Sequence, residues 1–327
     1  MKKILIIKTS SLGDVVHNLP VVNDVLRHYP EASIDWVVEE SFADIPRLHP
    51  MVNQVLTVAV RGWRKHVFKT NTWAQIKQFK QQLAAQTYDL VIDTQGLLKS
   101  ALLTRYANGT KHGYDRKSIR EPIASCFYQH THAISYQQHA VTRNRTLVAL
   151  SCGFPPPMNA PDYGLSAQPL MQTNSIDLPS TAFIVALHGT SRDSKLWPEA
   201  HWIALGQRLA DDDLHMLLPW ASAAEHLRAQ RIAAHLNNAS LSNATVLPKC
   251  NIAQLAYIIS KSKAAIGVDT GLSHLAAALD IPTIALYTDT NPALTGVMAG
   301  AKAKAINLGN IDTIPRVDEV MTTLNNL

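Results

Sequence analysis

The sequence predicts an α/β protein of two Rossmann-like lobes facing a central cleft. Three observations carry that reading. Short apolar runs alternate with amphipathic stretches along the whole chain, the pattern of βαβ units around a parallel sheet. The length of 327 residues suits two domains better than one. The stretch CGFPPPMNAPDYGL, residues 152–165, interrupts the alternation with four prolines and two glycines and marks a linker. The expected domains are therefore residues 1–160 and 161–327.

In the first half the run KKILIIK reads as a strand and LPVVNDVLRHYP as a helix. SIDWVVEE, the helical WAQIKQFKQQLAAQ and the strand-like YDLVIDTQG continue the series. In the second half AFIVALHGT, HMLLPW, AAIGVD and TIALYTDT read as strands. WPEAHWIALGQRLA, AEHLRAQRIAAHL, IAQLAYIISKS and GLSHLAAALD read as helices. No internal repeat or low-complexity tract interrupts either series.

Bulk composition narrows the class. Hydrophobic residues make up 46% of the chain and charged residues 17%, ordinary for a globular protein and unlike a disordered one. Cys126, Cys152 and Cys250 are widely spaced without a CxxC pair, which supports neither a disulfide framework nor a cysteine metal site. No apolar run approaches the roughly 18 residues that span a bilayer, so membrane contact is expected to be peripheral. The apolar run after Met1 is too short for a signal peptide.

The net charge of +5 is unevenly placed: residues 1–150 hold 19 Lys and Arg against 11 Asp and Glu, and the remainder 11 against 14. A basic N-terminal half points to an anionic ligand or surface. Nucleic acid is disfavoured, because no RNA-binding signature is present and few aromatics interleave with the positive charge.

Ligands of open parallel sheets bind beyond the carboxyl ends of the strands, and four polar clusters follow apolar runs there. In KTSSLGDVVHNLP, Asp14 sits where the first strand hands over to a helix, with Gly13 allowing close approach. An acid there can cap the helix or act as a general base toward a hydroxyl. In HGTSRDSKLWP, Thr190, Ser191 and Lys195 precede a helix expected to start near Trp197 and Pro198, a donor set suited to a diphosphate. In GVDTGLSHLAAAL, Asp269, Thr270 and Gly271 open another helix, with His274 one turn inside. The fourth cluster is basic: Arg61, Arg64, Lys65 and Lys69 are spaced to line one helical face, and Lys99, Lys111, Arg116, Lys117 and Arg120 add positive charge. Neither a G-x-G-x-x-G fingerprint nor a phosphate loop of the G-x-x-x-x-G-K-[ST] type occurs, which counts against dinucleotide-dependent oxidoreductases and P-loop NTPases.

Taken together, KTSSLGDVVHNLP, DWVVEE, RGWRKHVF, YDLVIDTQGLLKSA, KHGYDRKSIREP, HGTSRDSKLWP and VDTGLSHLAAALD resemble the bacterial lipopolysaccharide heptosyltransferases of glycosyltransferase family 9, nearest to those that add the first heptose. The resemblance spans nearly the whole chain. It implies a GT-B fold with an N-terminal acceptor lobe, a C-terminal ADP-heptose lobe and a last helix, DEVMTTLNNL, returning to the first lobe. It implies inverting transfer of heptose from ADP-heptose to the first Kdo of Kdo2-lipid A, with Asp14 as general base and Lys195 offsetting charge on the departing ADP.

The same resemblance places Thr190, Ser191, Lys195, Glu225, Cys250, Asp269, Thr270, Gly271 and His274 at the donor. Ser191 stands where the family often has threonine, and Cys250 where methionine is usual near adenine. Ser10, Ser11, Gly13, Arg61, Arg64, Lys65, Lys99, Lys111 and Arg120 are implied at the acceptor, facing Kdo carboxylates and lipid A phosphates. The implied protein is a cytoplasmic monomer in peripheral contact with the inner membrane. No cofactor or metal is required by the sequence, and a loosely held Mg²⁺ near Asp269 stays open. A GT-B transferase for another core position or another sugar nucleotide is the alternative enzyme, and a non-catalytic binder of anionic lipid A the alternative from outside enzymology.

Overall fold

The computed structural model describes residues 1–66, 68–165, 177–238 and 241–327. It divides into two compact units, Met1–Gly164 and Leu165–Leu327, with the division inside the proline-rich stretch.

The first unit is built on six parallel strands: β1 (Lys3–Ile7), β2 (Ser33–Glu39), β3 (Gln54–Val58), β4 (Thr87–Asp93), β5 (Asn108–Tyr114) and β6 (His130–His132). They lie in the order β3-β2-β1-β4-β5-β6, the doubly wound Rossmann arrangement. Ile4 to Ile7 of β1 are fully buried, as expected of a central parallel strand covered on both faces. The helices are α1 (Leu12–Val16), α2 (Pro20–His28), α3 (Asp44–Arg47), α4 (Val60–Lys65), α5 (Thr70–Ala84), α6 (Leu98–Thr104) and α7 (Ala140–Cys152). Proline opens α2, where its missing N–H costs nothing, and α7 ends at Gly153 in the left-handed conformation. A buried fork joins the two: Arg145 donates through Nε to Asp24 Oδ2 at 2.6 Å and through Nη2 to Oδ1 at 2.9 Å.

The second unit repeats the plan. Its strands are β7 (Phe183–Leu187), β8 (His215–Leu218), β9 (Asn237–Asn238), β10 (Leu241–Ser242), β11 (Ala244–Val246), β12 (Ala264–Val268), β13 (Thr283–Tyr287) and β14 (Ala305–Gly309). The main sheet runs β11-β8-β7-β12-β13-β14, all parallel, while β9 and β10 form a small antiparallel pair. Its helices are α8 (Glu199–Asp211), α9 (Ala223–Leu236), α10 (Ile252–Lys261), α11 (Gly271–Ala278), α12 (Pro292–Thr295) and α13 (Val317–Asn325). Alternation along β7 separates two cores. Ile184 and Ala186 join Trp197, Trp202 and Leu205, whereas Phe183, Val185 and Leu187 join Leu255 and Ile258.

Three local expectations need correction. The basic face expected from Arg61 to Lys69 does not exist as one surface: α4 stops at Lys65, and Lys69 has extended backbone at the cap of α5. The second-unit helix begins at Glu199, with Pro198 as its non-helical cap rather than a first-turn residue. The last helix, α13, buries Val320 and Met321 in the core of the second unit with Trp202 and Leu205, whereas the resemblance had it return to the first lobe.

Candidate functional site

In each sheet the strand order reverses beside the first strand of the unit, between β1 and β4 and between β7 and β12. The crevice beyond such a reversal is where open α/β sheets hold ligands. The loops after these four strands carry most of the residues singled out in the sequence.

In the first unit the loop after β1 is pinned by the loop after β4. Gln95 Oε1 accepts from the backbone N–H groups of Thr9 and Ser10, both at 3.0 Å. Gln95 is in turn placed by Asp93, which is fully buried and accepts from Gln95 N at 2.8 Å, Gly96 N at 3.2 Å and the Tyr128 hydroxyl at 2.8 Å. Burial pushes the Asp93 carboxyl above its ordinary pKa, against the pull of those hydrogen bonds. Lys99, at the start of α6, donates to Ser10 Oγ at 2.7 Å.

Asp14 lies in the first turn of α1, partly exposed. Its Oδ2 accepts from Ser11 N at 2.7 Å and from Ser11 Oγ at 2.9 Å, so Asp14 does cap the helix. That uses one carboxylate oxygen, and Oδ1 has no hydrogen-bond partner among the described residues.

Two lysines face this carboxylate. Lys8 is buried at the end of β1 and donates to Thr94 O at 2.9 Å; burial lowers its pKa, Asp14 and Asp93 oppose that, and Arg143 adds to it. Burial likewise lowers the pKa of Lys99, with Glu39, Asp14 and Glu121 opposing and Arg61 reinforcing. Arg61 is tied in through its backbone N–H, which donates to Glu39 Oε1 at 3.0 Å. The structure thus brings together Ser10, Ser11, Gly13, Asp14, Lys99 and Arg61. Arg64 and Lys65 follow on α4. Lys111 lies on β5, and no hydrogen bond or ion pair among the described residues ties it or Arg120 to this group.

In the second unit the centre is Asp269, just past β12. Its Oδ2 receives the Lys195 ammonium at 2.6 Å and the Thr290 hydroxyl at 2.7 Å, and its backbone oxygen accepts from Thr190 Oγ1 at 2.9 Å. Ser194 and Thr288 join the same loops: Ser194 Oγ donates to Asp289 Oδ2 at 2.6 Å, and Thr288 Oγ1 donates to Ser194 O at 2.8 Å. Ser191 is exposed on this loop. Thr270 caps α11 without spending its side chain on the cap, and Gly271 begins the helix. His274 is buried in the second turn.

Gly267, on β12, allows α11 to approach: a Cβ there would lie 2.3 Å from Ser273 Oγ. Glu225 belongs to the capping box of α9, its Oε2 accepting from Ala221 N at 2.7 Å, and its carboxyl packs over Gly189. The Cys250 thiol is half-buried, directed to Pro248 O at 3.2 Å, and burial raises its pKa.

Chemically, the first unit offers a partly free carboxylate among cations. The second offers a lysine, several hydroxyls and a helix N-terminus, the equipment of a phosphate site. Among the described residues no group of three or more His, Cys, Asp or Glu is arranged to hold a metal ion.

Residues 76–325 match the profile of glycosyltransferase family 9 (heptosyltransferase). The chain belongs to that family. Within it, the chain is 47% identical over 295 residues to lipopolysaccharide heptosyltransferase 1 of Pseudomonas aeruginosa, covering 90% of this chain and 81% of the relative. Among solved structures, the Escherichia coli heptosyltransferase WaaC with ADP superposes with a TM-score of 0.89 at 42% identity over 99% of both chains. The same enzyme with ADP-2-deoxy-2-fluoro heptose gives a TM-score of 0.86 at 41% identity, again over 99% of both chains. The two Rossmann-like units are accordingly those of a GT-B glycosyltransferase.

The sequence did not single out Lys8, Asp93, Gln95 or the Thr288–Asp289–Thr290 loop, which the structure places beside Asp14 and Asp269. Each directly ends or follows an apolar strand, the position that led to Asp14 and Asp269. Thr288 to Thr290 follow β13, the neighbour of β12, so the rule that found one loop extends to the next.

Proposed function

We propose that the protein transfers L-glycero-D-manno-heptose from ADP-heptose to the first Kdo of Kdo2-lipid A during assembly of the lipopolysaccharide inner core, inverting the anomeric centre. The observation that carries this is the 47% identity to a lipopolysaccharide heptosyltransferase 1 over 90% of the chain. The ADP and ADP-sugar analogue bound by WaaC support the donor.

Asp14 is the general base. Its Oδ1 takes the proton of the Kdo hydroxyl as that oxygen attacks the anomeric carbon, while the bond to the ADP oxygen breaks through an oxocarbenium-like state. Lys8 and Lys99 place positive charge beside the Asp14 carboxylate. Ser10, Ser11, Gly13, Arg61, Arg64, Lys65, Lys99, Lys111 and Arg120 hold the acceptor's carboxylates and phosphates. Thr190, Ser191, Lys195, Asp269, Thr270, Gly271 and His274 hold the donor, with Glu225 at the ribose and Cys250 near the adenine. Lys195 meets the charge that builds on the leaving diphosphate. The lipid acceptor would bring the protein to the cytoplasmic face of the inner membrane, and among the described residues no helix is long and apolar enough to cross it.

The test is release of ADP from ADP-heptose with and without Kdo2-lipid A, for the native protein and Asp14→Asn. Acceptor-dependent release that the variant abolishes while still binding ADP is the expected result. Full activity of the variant would return Asp14 to a helix cap, and turnover only with another donor or acceptor would reassign the substrates.

A further inference from the structure

The N-terminal unit contains a cavity of about 690 Å³, of whose lining only Arg64 and Lys99 have a role above. It lies among α4, α5 and α6, and Trp63, Ile76, Phe79, Leu98, Leu102 and Leu103 supply its walls. These walls offer a sugar few partners for the hydroxyls it would desolvate, so a sugar is a poor occupant. The volume is that of a small-molecule site.

The charged lining selects among apolar occupants. Arg64, Lys80 and Lys99 face it against one acid, Glu121. Glu121 is already engaged, its Oε2 accepting from Leu98 N at 2.6 Å, and Lys80 lies over the Tyr106 ring at 4.4 Å. An apolar chamber lined with surplus positive charge fits an amphiphile with an anionic head. Lys99 also connects the cavity to the site, because this lining residue donates its ammonium to Ser10 Oγ beside Asp14. Its rim is apolar as well: Leu102 is 40% exposed and Tyr106 37%.

We propose that this cavity binds a fatty acyl chain of the lipid-linked acceptor itself, so that acylation contributes to acceptor affinity while the head group reaches Asp14. The inference rests on the proposed lipid A acceptor and assigns it a second contact. Arg64, Lys80 and Lys99 meet the anionic head, and the chain lies between Trp63, Phe79 and Leu102.

The experiment compares Kdo2-lipid A with its de-acylated form for the native protein, Leu102→Asp and Leu102→Met. Leu102 is half-exposed, so the acid should be tolerated by the fold. Leu102→Asp should raise KM for the acylated acceptor at least tenfold, since each methylene removed from an apolar site costs about fourfold in affinity. It should leave kcat and the kinetics of the de-acylated acceptor unchanged, and Leu102→Met should behave as native. A fluorescent long-chain fatty acid supplies a readout independent of turnover: saturable binding to the native protein, at least tenfold weaker in Leu102→Asp.

Absence of turnover with both acceptors, with fatty acid binding intact, would overturn the reaction and not the cavity's affinity for acyl chains. Turnover with no acyl-dependent change in KM and no saturable fatty acid binding would overturn the inference. So would a Leu102→Asp protein that loses binding to anionic phospholipid vesicles yet keeps its native KM for the acylated acceptor, since the cavity would then hold a bilayer lipid.

Discussion

The Lys195 ammonium lies 2.6 Å from Asp269 Oδ2, an oxygen that also accepts from Thr290 Oγ1 at 2.7 Å. Both members of the pair are largely buried, with side chains 18% and 15% exposed. Asp269 therefore holds Lys195 at the mouth of the α11 N-terminus before any donor arrives. If Lys195 serves the leaving diphosphate, its loss should show most in the transition state, where the negative charge is greatest. Lys195→Ala should lower kcat by roughly 10²–10³, with a smaller change in ADP affinity. Kinetics alongside ADP titration calorimetry separate the two, and an equal loss in both would make Lys195 a ground-state anchor.

Asp14 caps α1 and is the proposed general base, and amide substitution separates the two roles. Asparagine keeps a carbonyl oxygen for the Ser11 N–H, so the cap survives, but it cannot take a proton. Asp14→Asn should fall by about 10²–10⁴ in kcat with an unchanged melting temperature. Asp14→Ala should add a loss of about 1 kcal/mol from the missing cap. Stopped ADP release and thermal unfolding on both variants provide the check.

Gln95 offers a test of positioning without chemistry. Its single side-chain oxygen restrains the Thr9 and Ser10 N–H groups, and through them the approach to Asp14. Gln95→Ala should reduce kcat/KM for the acceptor while leaving the donor KM untouched. Gln95→Glu, which keeps the accepting oxygen, should recover part of the loss. A variant equally impaired toward donor and acceptor would show general unfolding of the loop.

How much of this was legible in the sequence depended on which physical signal each part carries. Central strands such as β1, β7 and β12 are apolar on both faces and were visible as runs. Strand β5 was not, because NGTKHGY is polar and its placement comes from pairing with β4. Asp14 and Asp269 were legible because an acid after an apolar run is conspicuous. Lys8 and Asp93 end such runs themselves and read as ordinary strand termini, since burial by neighbouring chain cannot be seen locally. The Arg61 to Lys69 spacing misled for the opposite reason: helical periodicity persists in the sequence across a break that the backbone makes at His66.

Three buried histidines set an acid limit on stability. Burial lowers His49, His112 and His188 to about 4, with further lowering of His112 by His130 and His132 and of His188 by Arg228, while Asp162 opposes it at His49. The unfolded chain, with histidines near 6.5, binds protons first, so stability is full above that pH and falls as pH drops toward 4. Melting temperature should decline across this window. His49→Asn, which keeps an acceptor for the Met51 N–H and removes the titrating ring, should flatten part of the slope. A slope unaltered by the substitution would assign the decline to other groups.

Gly267 connects packing to the proposed donor loop. A Cβ at this position would stand 2.3 Å from Ser273 Oγ and 2.8 Å from Leu187 Cβ, both closer than atoms can pack. Ser273 is itself committed, its hydroxyl donating to Val268 O at 2.8 Å, so it cannot swing away without losing a buried hydrogen bond. Gly267→Ala should therefore displace the first turn of α11 from β12, at an overpacking cost of about 1–3 kcal/mol. Asp269 and Thr270 join the strand to the displaced turn, which Gly271 opens, so the donor KM should rise while the acceptor KM stays native. Adding Ser273→Ala removes the nearer clash and leaves the one with Leu187, so the double variant should recover stability and donor affinity in part. If the single variant lost stability without any change in donor KM, the N-terminus of α11 would have no part in holding the diphosphate.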